Sequence, residues 1–153
     1  MPAEASPLKV AIQDSVKEAM RAKDKPRLAV LRQITAAIKQ VEVDNRVDLS
    51  DEEIVVVMTK MTKQRREALE QYENAGRDDL ADIEKAELVI IEEFMPEQLT
   101  EDEVKQAVQA AIEESGASSI KDMGAVMNVL RPKLQGRADM SAVSGQVKSA
   151  LST

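Results

Sequence analysis

The sequence predicts an all-α protein, and two observations carry that prediction. Apolar residues recur every three or four positions along nearly the whole chain of 153 residues, which is the period of an amphipathic helix. Aromatic side chains are almost absent, with only Phe94 and Tyr72, so the core has to be filled by the aliphatic residues that pack helix against helix. We expect an N-terminal antiparallel four-helix domain at residues 1–95 and a small three-helix C-terminal domain at residues 96–153.

The first two helices are separated by a polar run from Arg21 to Lys25. Before it, an apolar residue occurs at every fourth position, at Leu8, Ile12, Val16 and Met20. Pro26 fits the first turn of the second helix, where its missing N–H is not needed. The apolar positions of the second helix are Leu28, Leu31, Ile34, Ile38 and Val41.

The third helix is predicted to begin with a capping box, Ser50 to Glu53. In this motif the serine accepts a hydrogen bond from a backbone N–H and the glutamate reaches back to the serine. Gly76 is placed to stop the helix. A shorter fourth helix is expected before Pro96, with Leu80, Ile83, Ile90 and Phe94 as its apolar residues.

The C-terminal domain begins with a second capping box, Thr100 to Glu103, and Gly116 is expected to end this fifth helix. A sixth helix follows, which Pro132 is expected to kink or end and which Gly136 is expected to terminate. Asp139 is expected to cap the seventh helix.

The composition excludes several kinds of chemistry. Without cysteine there can be no disulfide and no cysteine nucleophile, and without histidine the commonest general base and metal ligand are missing. Neighbouring carboxylates such as Asp78 and Asp79 point apart on a helix. We therefore expect no catalytic residue, no metal site and no cofactor, and a chain that is not an enzyme by itself.

The sequence also predicts the compartment. Its longest purely apolar run, Ile54 to Met58, is too short to cross a bilayer, and Met1 to Pro7 lacks the features of a secretory signal. A chain without cysteine also suits a reducing compartment. We expect a soluble cytoplasmic protein that does not use a membrane.

The last part of the chain has a net positive charge, whereas the protein as a whole is negative. The protein has a net charge of −7, whereas residues 117–153 carry five cations against two carboxylates, a local net charge of +3. A basic region in an acidic protein is where a phosphate-bearing partner would bind. The residues predicted to contact nucleic acid are Lys121, Gly124, Arg131, Lys133, Arg137 and Lys148.

Two features of this region have alternative interpretations. Gly124 lies in a helical pattern, where it costs about 1 kcal/mol relative to alanine, so either a neighbouring helix packs closely against it or a nucleic-acid backbone does. The loop from Lys133 to Asp139 is either a helix-to-helix turn with solvated cations or a phosphate contact. In the second case the N-terminus of the last helix would add N–H donors.

A second cationic cluster runs from Lys60 to Arg66. Ion pairing with nearby acids, such as Arg66 with Glu70 or Arg65 with Glu93, is the interpretation that surface charge runs favour. The alternative is a second basic patch that contacts phosphates, made of Lys23, Lys25, Arg27, Lys63, Arg65 and Arg66.

Several short blocks, occurring in order from about Leu8 to Leu151, resemble the GatB/YqeY family. They are Ala22–Lys25 with Arg27–Leu28, Ala36–Lys39, Lys63–Glu67, Ala75–Arg77, Pro96–Leu99, Met123–Gly124 with Val126–Met127, and Pro132–Leu134 through Gly136–Asp139. The family joins free-standing YqeY-like proteins to the C-terminal tail of the B subunit of the tRNA-dependent amidotransferase. That enzyme is a carbon–nitrogen ligase with glutamine as amido-N-donor.

The resemblance implies a two-part helical fold and recognition of tRNA by the tail. The chain has no room for the catalytic cradle of the amidotransferase, so ligase activity is carried over only as a family label. We expect a noncatalytic helical module that binds tRNA or another structured RNA through phosphate contacts, with little capacity to stack bases. The alternatives are an accessory part of the amidotransferase and an adaptor that binds a translation-related protein.

Overall fold

The computed structural model describes residues 6–152 and is all-helical there, as predicted. It has no strand in that range, and its seven α-helices are α1 (Pro7–Arg21), α2 (Lys25–Asn45), α3 (Asp51–Asn74), α4 (Asp78–Glu92), α5 (Glu101–Ser115), α6 (Met123–Leu134) and α7 (Met140–Leu151). A short 3₁₀ turn, Ile120–Asp122, leads into α6. The chain divides between Met95 and Pro96 into two compact units, with α1–α4 in the first and α5–α7 in the second. None of the described helices is both long and apolar enough to cross a lipid bilayer.

The core of the first unit is aliphatic and draws on all four of its helices. Six side chains are fully buried there: Ile12, Leu31, Ile34, Ile54, Met58 and Ile91. Phe94 and Met95, which follow α4, pack against the same cluster. The spacing of three or four residues between the apolar positions of each helix therefore places one face of that helix in a common core.

The start of α2 has a cap that was not predicted, and the start of α3 follows its predicted cap with one difference. The Asp24 side chain accepts from the Arg27 backbone N–H at 3.2 Å, and Pro26 lies in the first turn of α2. At α3 the Ser50 hydroxyl oxygen accepts from the Glu53 backbone N–H at 3.2 Å. The Glu53 carboxylate, however, accepts from the Ser50 hydroxyl at 3.1 Å instead of from its backbone N–H, so the predicted capping box is only half formed.

A buried carboxylate, Glu42 on α2, connects three segments of the first unit. The residue is 6% exposed, and Lys9 Nζ on α1 donates to both of its oxygens at 2.9 Å. The backbone N–H of Leu49, in the loop before α3, donates to Oε2 at 3.0 Å. The hydrogen bond from Lys9, with a further contribution from Leu49, outweighs burial and holds the pKa of Glu42 below its ordinary value. Glu42 therefore stays ionised and joins α1, α2 and the start of α3.

The second unit has its own core between α5, α6 and α7. Its most deeply buried side chains, all at most 2% exposed, are Ala111, Val126, Leu130, Leu134, Val143 and Val147. At the start of α5 the predicted capping box is complete. The Thr100 hydroxyl oxygen accepts from the Glu103 backbone N–H at 3.2 Å, and the Glu103 carboxylate accepts from the Thr100 N–H at 3.0 Å.

Of the two outcomes predicted for Pro132 in the sixth helix, a kink or an end, the structure excludes the end. The helix does not end there but continues to Leu134. A proline in the last turn removes only one backbone hydrogen bond of the helix, so the helix can tolerate it. The chain then turns at Gly136, whose φ of 78° lies in the left-handed region that glycine adopts without a steric penalty.

We predict that Glu42→Gln lowers the free energy of unfolding by roughly 1–3 kcal/mol at pH 7, because a neutral amide leaves part of a buried hydrogen-bond set unpaired. The pKa of Glu42 is lower in the native protein than in the unfolded chain, where it is about 4.3. The ionised carboxylate therefore makes its full contribution to the free energy of unfolding above the unfolded-state pKa, and this contribution is lost as the pH falls through the native pKa. Urea unfolding followed by circular dichroism should show a larger difference between the two proteins at pH 7 than at pH 3.

The matched control is Glu70→Gln, an exposed glutamate on α3, which should change stability little at either pH. An equal difference between wild type and Glu42→Gln at both pH values would contradict the assignment of an ionised, hydrogen-bonded Glu42.

Candidate nucleic-acid interface

The six residues predicted to contact nucleic acid all lie in the second unit, but on four different segments. They are Lys121 in the 3₁₀ turn, Gly124 in the first turn of α6, Arg131 and Lys133 in its last turn, Arg137 in the loop between α6 and α7, and Lys148 in the last turn of α7. All are exposed except Arg137, which is half-buried. The six residues therefore do not form one continuous patch along a single helix.

Arg131 and Lys133 point to different sides of α6. Residues two apart on an α-helix differ in direction by about 200°, and the buried face that carries Leu130 and Leu134 lies between them. Lys133 Nζ lies 3.2 Å from Oε2 of Glu114 on α5. Both side chains of this pair are about 60% exposed, so the ion pair is weak and a phosphate could replace its carboxylate.

Arg137 has a structural role within the second unit. Its Nε donates to the backbone carbonyl of Glu97 at 3.2 Å, and its own carbonyl accepts from the Leu99 N–H at 2.8 Å. The Gln98 side chain donates to the carbonyl of Gly136 at 2.6 Å. These bonds hold the loop after α6 against the segment before α5, so replacing Arg137 would disturb the fold as well as any phosphate contact.

Three of the predicted cations remain available to a partner. No carboxylate in the described part of the chain lies within ion-pair distance of Lys121, Arg131 or Lys148. Arg131 and Lys148 lie in the last turns of α6 and α7, where the helix dipole favours a cation. That interaction is worth only about 0.3–1 kcal/mol and leaves the charge free to meet a phosphate.

The N-terminus of α7 is already occupied by a carboxylate. Asp139 caps the helix as predicted, and its side chain accepts from the Ser141 backbone N–H at 3.0 Å. This carboxylate lies at the helix end where the sequence suggested that free N–H groups could contact a phosphate. The structure therefore argues against a phosphate contact at this helix end, because the two negative groups would repel each other.

Gly124 lies on an open surface. A Cβ added there would have no atom of the described chain within 4 Å, apart from the helix's own backbone and adjoining residues. Close packing by another helix of this chain therefore does not explain the glycine. Asn128 and Arg131, four and seven residues further along α6, lie on the same face, and all three are exposed. Asn128 was not among the predicted residues, although its spacing from Gly124 and Arg131 places it on their face of the helix.

The arginines of the second basic patch are paired with carboxylates at α4. The nitrogen-to-oxygen distances are 2.8 Å for Arg27 with Glu93, 3.1 Å for Arg65 with Glu87 and 3.1 Å for Arg66 with Glu92. Arg65 also donates to the side chain of Gln33 on α2. The ion-pairing interpretation thus describes these arginines, but the partners differ from the suggested Arg66 with Glu70 and Arg65 with Glu93.

Three lysines remain of that second basic patch. Lys23, Lys25 and Lys63 are exposed, and the ion pairs found between residues 6 and 152 include none of them. Lys23 closes the turn between α1 and α2 with a positive φ of 56°, Lys25 begins α2, and Lys63 lies on α3. Without the arginines, this patch presents fewer available charges than the prediction assumed.

A half-buried charged cluster between α3 and α4 is formed by Arg65, Glu84 and Glu87. Burial, together with repulsion from Glu87, raises the pKa of Glu84, and Arg65 opposes that rise. Arg65 Nε lies 3.1 Å from Glu87 Oε2 but without the alignment of a hydrogen bond.

The described residues contain no group of three or more acidic side chains placed to hold a metal ion.

Comparison with known proteins identifies the family. The profile of the family described as Yqey-like protein matches residues 9–151. The chain belongs to this family. A relative from Pyrenophora tritici-repentis, named Altered inheritance of mitochondria protein 41, mitochondrial, is 30% identical over 145 residues, which are 92% of this chain and 78% of the relative.

Two further relatives carry the same name. The protein from Kluyveromyces lactis is 24% identical over 146 residues, which are 92% of this chain and 74% of the relative. The protein from Eremothecium gossypii is 33% identical over 85 residues, 55% of this chain and 46% of that relative, so the match covers less than half of its length.

These names contradict the predicted cytoplasmic location, because they assign the relatives to mitochondria. The prediction was wrong for a physical reason. A chain without cysteine suits a reducing compartment, but this feature does not distinguish one reducing compartment from another.

We predict that Gly124→Ala raises the free energy of unfolding by up to about 1 kcal/mol, because alanine is the better helix former and the added methyl group has open space. Chemical denaturation measures the change. Gly116→Ala is the contrasting variant, since Gly116 has a φ of 70°, and it should destabilise by roughly 1–2 kcal/mol. Destabilisation by Gly124→Ala would show that the glycine is needed by the fold.

Proposed function

We propose that this YqeY-like protein is a noncatalytic helical module whose second unit binds tRNA or another structured RNA through phosphate contacts. One observation carries the proposal. Lys121, Arg131 and Lys148 are exposed and have no carboxylate partner among residues 6–152, in a protein with a net charge of −7. They belong to residues 117–153, which carry five cations against two carboxylates, and such a basic region suits an anionic partner.

We further propose that the two units are an antiparallel four-helix domain and a three-helix domain that resembles the amidotransferase tail. The division between Met95 and Pro96 and the separate aliphatic cores support this. The pairing of Arg27, Arg65 and Arg66 supports placing the RNA contact in the second unit, since these arginines already bind carboxylates in the first.

The exposed face of α6 suits an RNA backbone. Gly124 offers a surface without a side chain, which lets a sugar–phosphate chain come close to the helix. Asn128 can donate to or accept from a ribose 2′-hydroxyl, and Arg131 can donate two hydrogen bonds to one phosphate. Such contacts read the shape of RNA and not its base sequence.

The names of the relatives support mitochondria as the compartment in which this chain acts. The binding surface proposed here does not depend on that assignment, because the same cations would meet tRNA in any compartment.

We predict that replacing Lys121, Arg131 and Lys148 together by glutamine weakens binding to total tRNA by about tenfold or more at low salt, since roughly three phosphate contacts are lost. For the wild type, the slope of log K against log salt concentration should be about −2 to −3. Fluorescence anisotropy with labelled tRNA, at a series of salt concentrations, measures both quantities.

The control for net charge is the triple variant Lys17→Gln, Lys60→Gln and Lys105→Gln, which removes three exposed lysines on other helices. It should bind tRNA almost as the wild type does. Equal weakening by the two triple variants would mean that only net charge matters, and absence of wild-type binding at low salt would end the proposal.

We also predict that Gly124→Ala weakens tRNA binding by about threefold to tenfold, equal to roughly 0.7–1.4 kcal/mol, although it stabilises the fold. Gly145→Ala is the matched control, because Gly145 is also an exposed helical glycine with open space around it. The same anisotropy titration checks both variants. Unchanged affinity in Gly124→Ala would remove this face of α6 from the interface.

A further inference from the structure

A cleft between α1 and α2 in the first unit is separate from the surface discussed above. Its volume is about 500 Å³, and it is lined by residues of α1 between Lys9 and Gln13 and residues of α2 between Arg32 and Glu42. Sites of roughly 300–1,000 Å³ accommodate small organic ligands. The cleft is therefore large enough for a small molecule and concave, unlike the exposed face of α6.

The charges that line the cleft are not balanced. Lys9, Arg32 and Lys39 are positive, and Glu42 is the one acidic residue of the lining. Glu42 is already satisfied by Lys9 Nζ at 2.9 Å and by the Leu49 N–H at 3.0 Å. This pair neutralises itself and leaves Arg32 and Lys39 as two excess positive charges.

Arg32 and Lys39 flank the cleft in a defined way. They are seven residues apart on α2, so they share one face of the helix and are separated by roughly 10 Å along its axis. Both are exposed, and neither belongs to an ion pair in the part of the chain that the structure describes. A ligand with a negative group at each end would meet both cations at once.

The lining between the two cations contains both polar and apolar side chains. Thr35 and Gln13 offer polar groups; the Thr35 hydroxyl donates to the Arg32 carbonyl at 3.0 Å, and its oxygen can still accept. Ile12 and Ile38 are buried and form an apolar base. The region between the charged ends thus suits an uncharged body that carries hydroxyl groups.

We propose that this cleft binds a small organic bisphosphate, with one phosphate on Arg32, the other on Lys39, and a hydroxylated body against Thr35 and Gln13. Arginine binds phosphate through two parallel hydrogen bonds and lysine as a point charge. The Lys9–Glu42 pair holds together the two helices that form the walls of the cleft, and the exposed side chains of Arg32 and Lys39 can settle on the two phosphates. This inference is independent of the RNA interface of the second unit.

The test is isothermal titration calorimetry of the full chain at low salt with fructose 1,6-bisphosphate as the probe. We expect saturable binding at one site per chain. Fructose 6-phosphate, which has the same body and one phosphate fewer, should bind at least about tenfold more weakly, because one charge-assisted contact is missing. The variant Arg32→Gln/Lys39→Gln should lose the binding of the bisphosphate and keep its far-ultraviolet circular dichroism spectrum.

The charge control is Lys17→Gln/Lys60→Gln, which removes two exposed lysines outside the cleft and should bind the probe as the wild type does. Three results would overturn the proposal: no binding of the bisphosphate at millimolar concentration, equal affinity for the two sugar phosphates, or unchanged binding in Arg32→Gln/Lys39→Gln. Loss of tRNA binding in that variant, without any binding of the bisphosphate, would assign the two cations to RNA instead.

Discussion

Ion pairing within the protein determines which of its cations can bind anything else. In the first unit, Arg27, Arg65 and Arg66 bridge to carboxylates at α4, and Lys9 is bound to the buried Glu42. In the second unit the ion pair found among described residues is Lys133 with Glu114, and it is exposed and weak. Residues 117–153 carry five cations against two carboxylates, and the proposed RNA surface depends on that local excess of positive charge.

The same principle explains how an acidic protein can bind a polyanion. Charges farther apart than the Debye length, about 10 Å at 0.1 M salt, are largely screened from one another when they are exposed to solvent. A phosphate at Lys121 or Arg131 responds to its immediate surroundings and only weakly to the total charge of −7. Binding through a few such contacts should be modest in affinity and sensitive to salt, as expected for a module that recognises shape.

The helices could be predicted from the sequence because their signals are local. The Thr100–Glu103 capping box and Asp139 at α7 act within three residues of their own position, and the structure contains both caps. For Pro132 the sequence left a kink and an end both open, because the effect of a proline depends on its distance from the helix end, and α6 continues to Leu134. The predicted glycine stop is equally local, since Gly116 is the C-cap of α5.

The candidate site could be predicted only in part, because its properties depend on contacts between distant residues. Arg65 pairs with Glu87 and not with Glu93, since the rotation and register of α4 against α3 decide which carboxylate is near. The bond from Arg137 to the Glu97 carbonyl joins residues 40 positions apart. Whether Gly124 was covered by a neighbouring helix likewise required the tertiary structure. Residue types therefore identified the charged region, and the fold determined which charges are available.

The most direct measurement is a lysine footprint: acetylation of the full chain with and without saturating tRNA, read by mass spectrometry at each lysine. Lys121 and Lys148 are expected to be protected by tRNA, while Lys17 and Lys60 react equally in both states. Protection confined to Lys23, Lys25 and Lys63, or an unchanged pattern at every lysine, would contradict the claim that the cations of the second unit bind RNA.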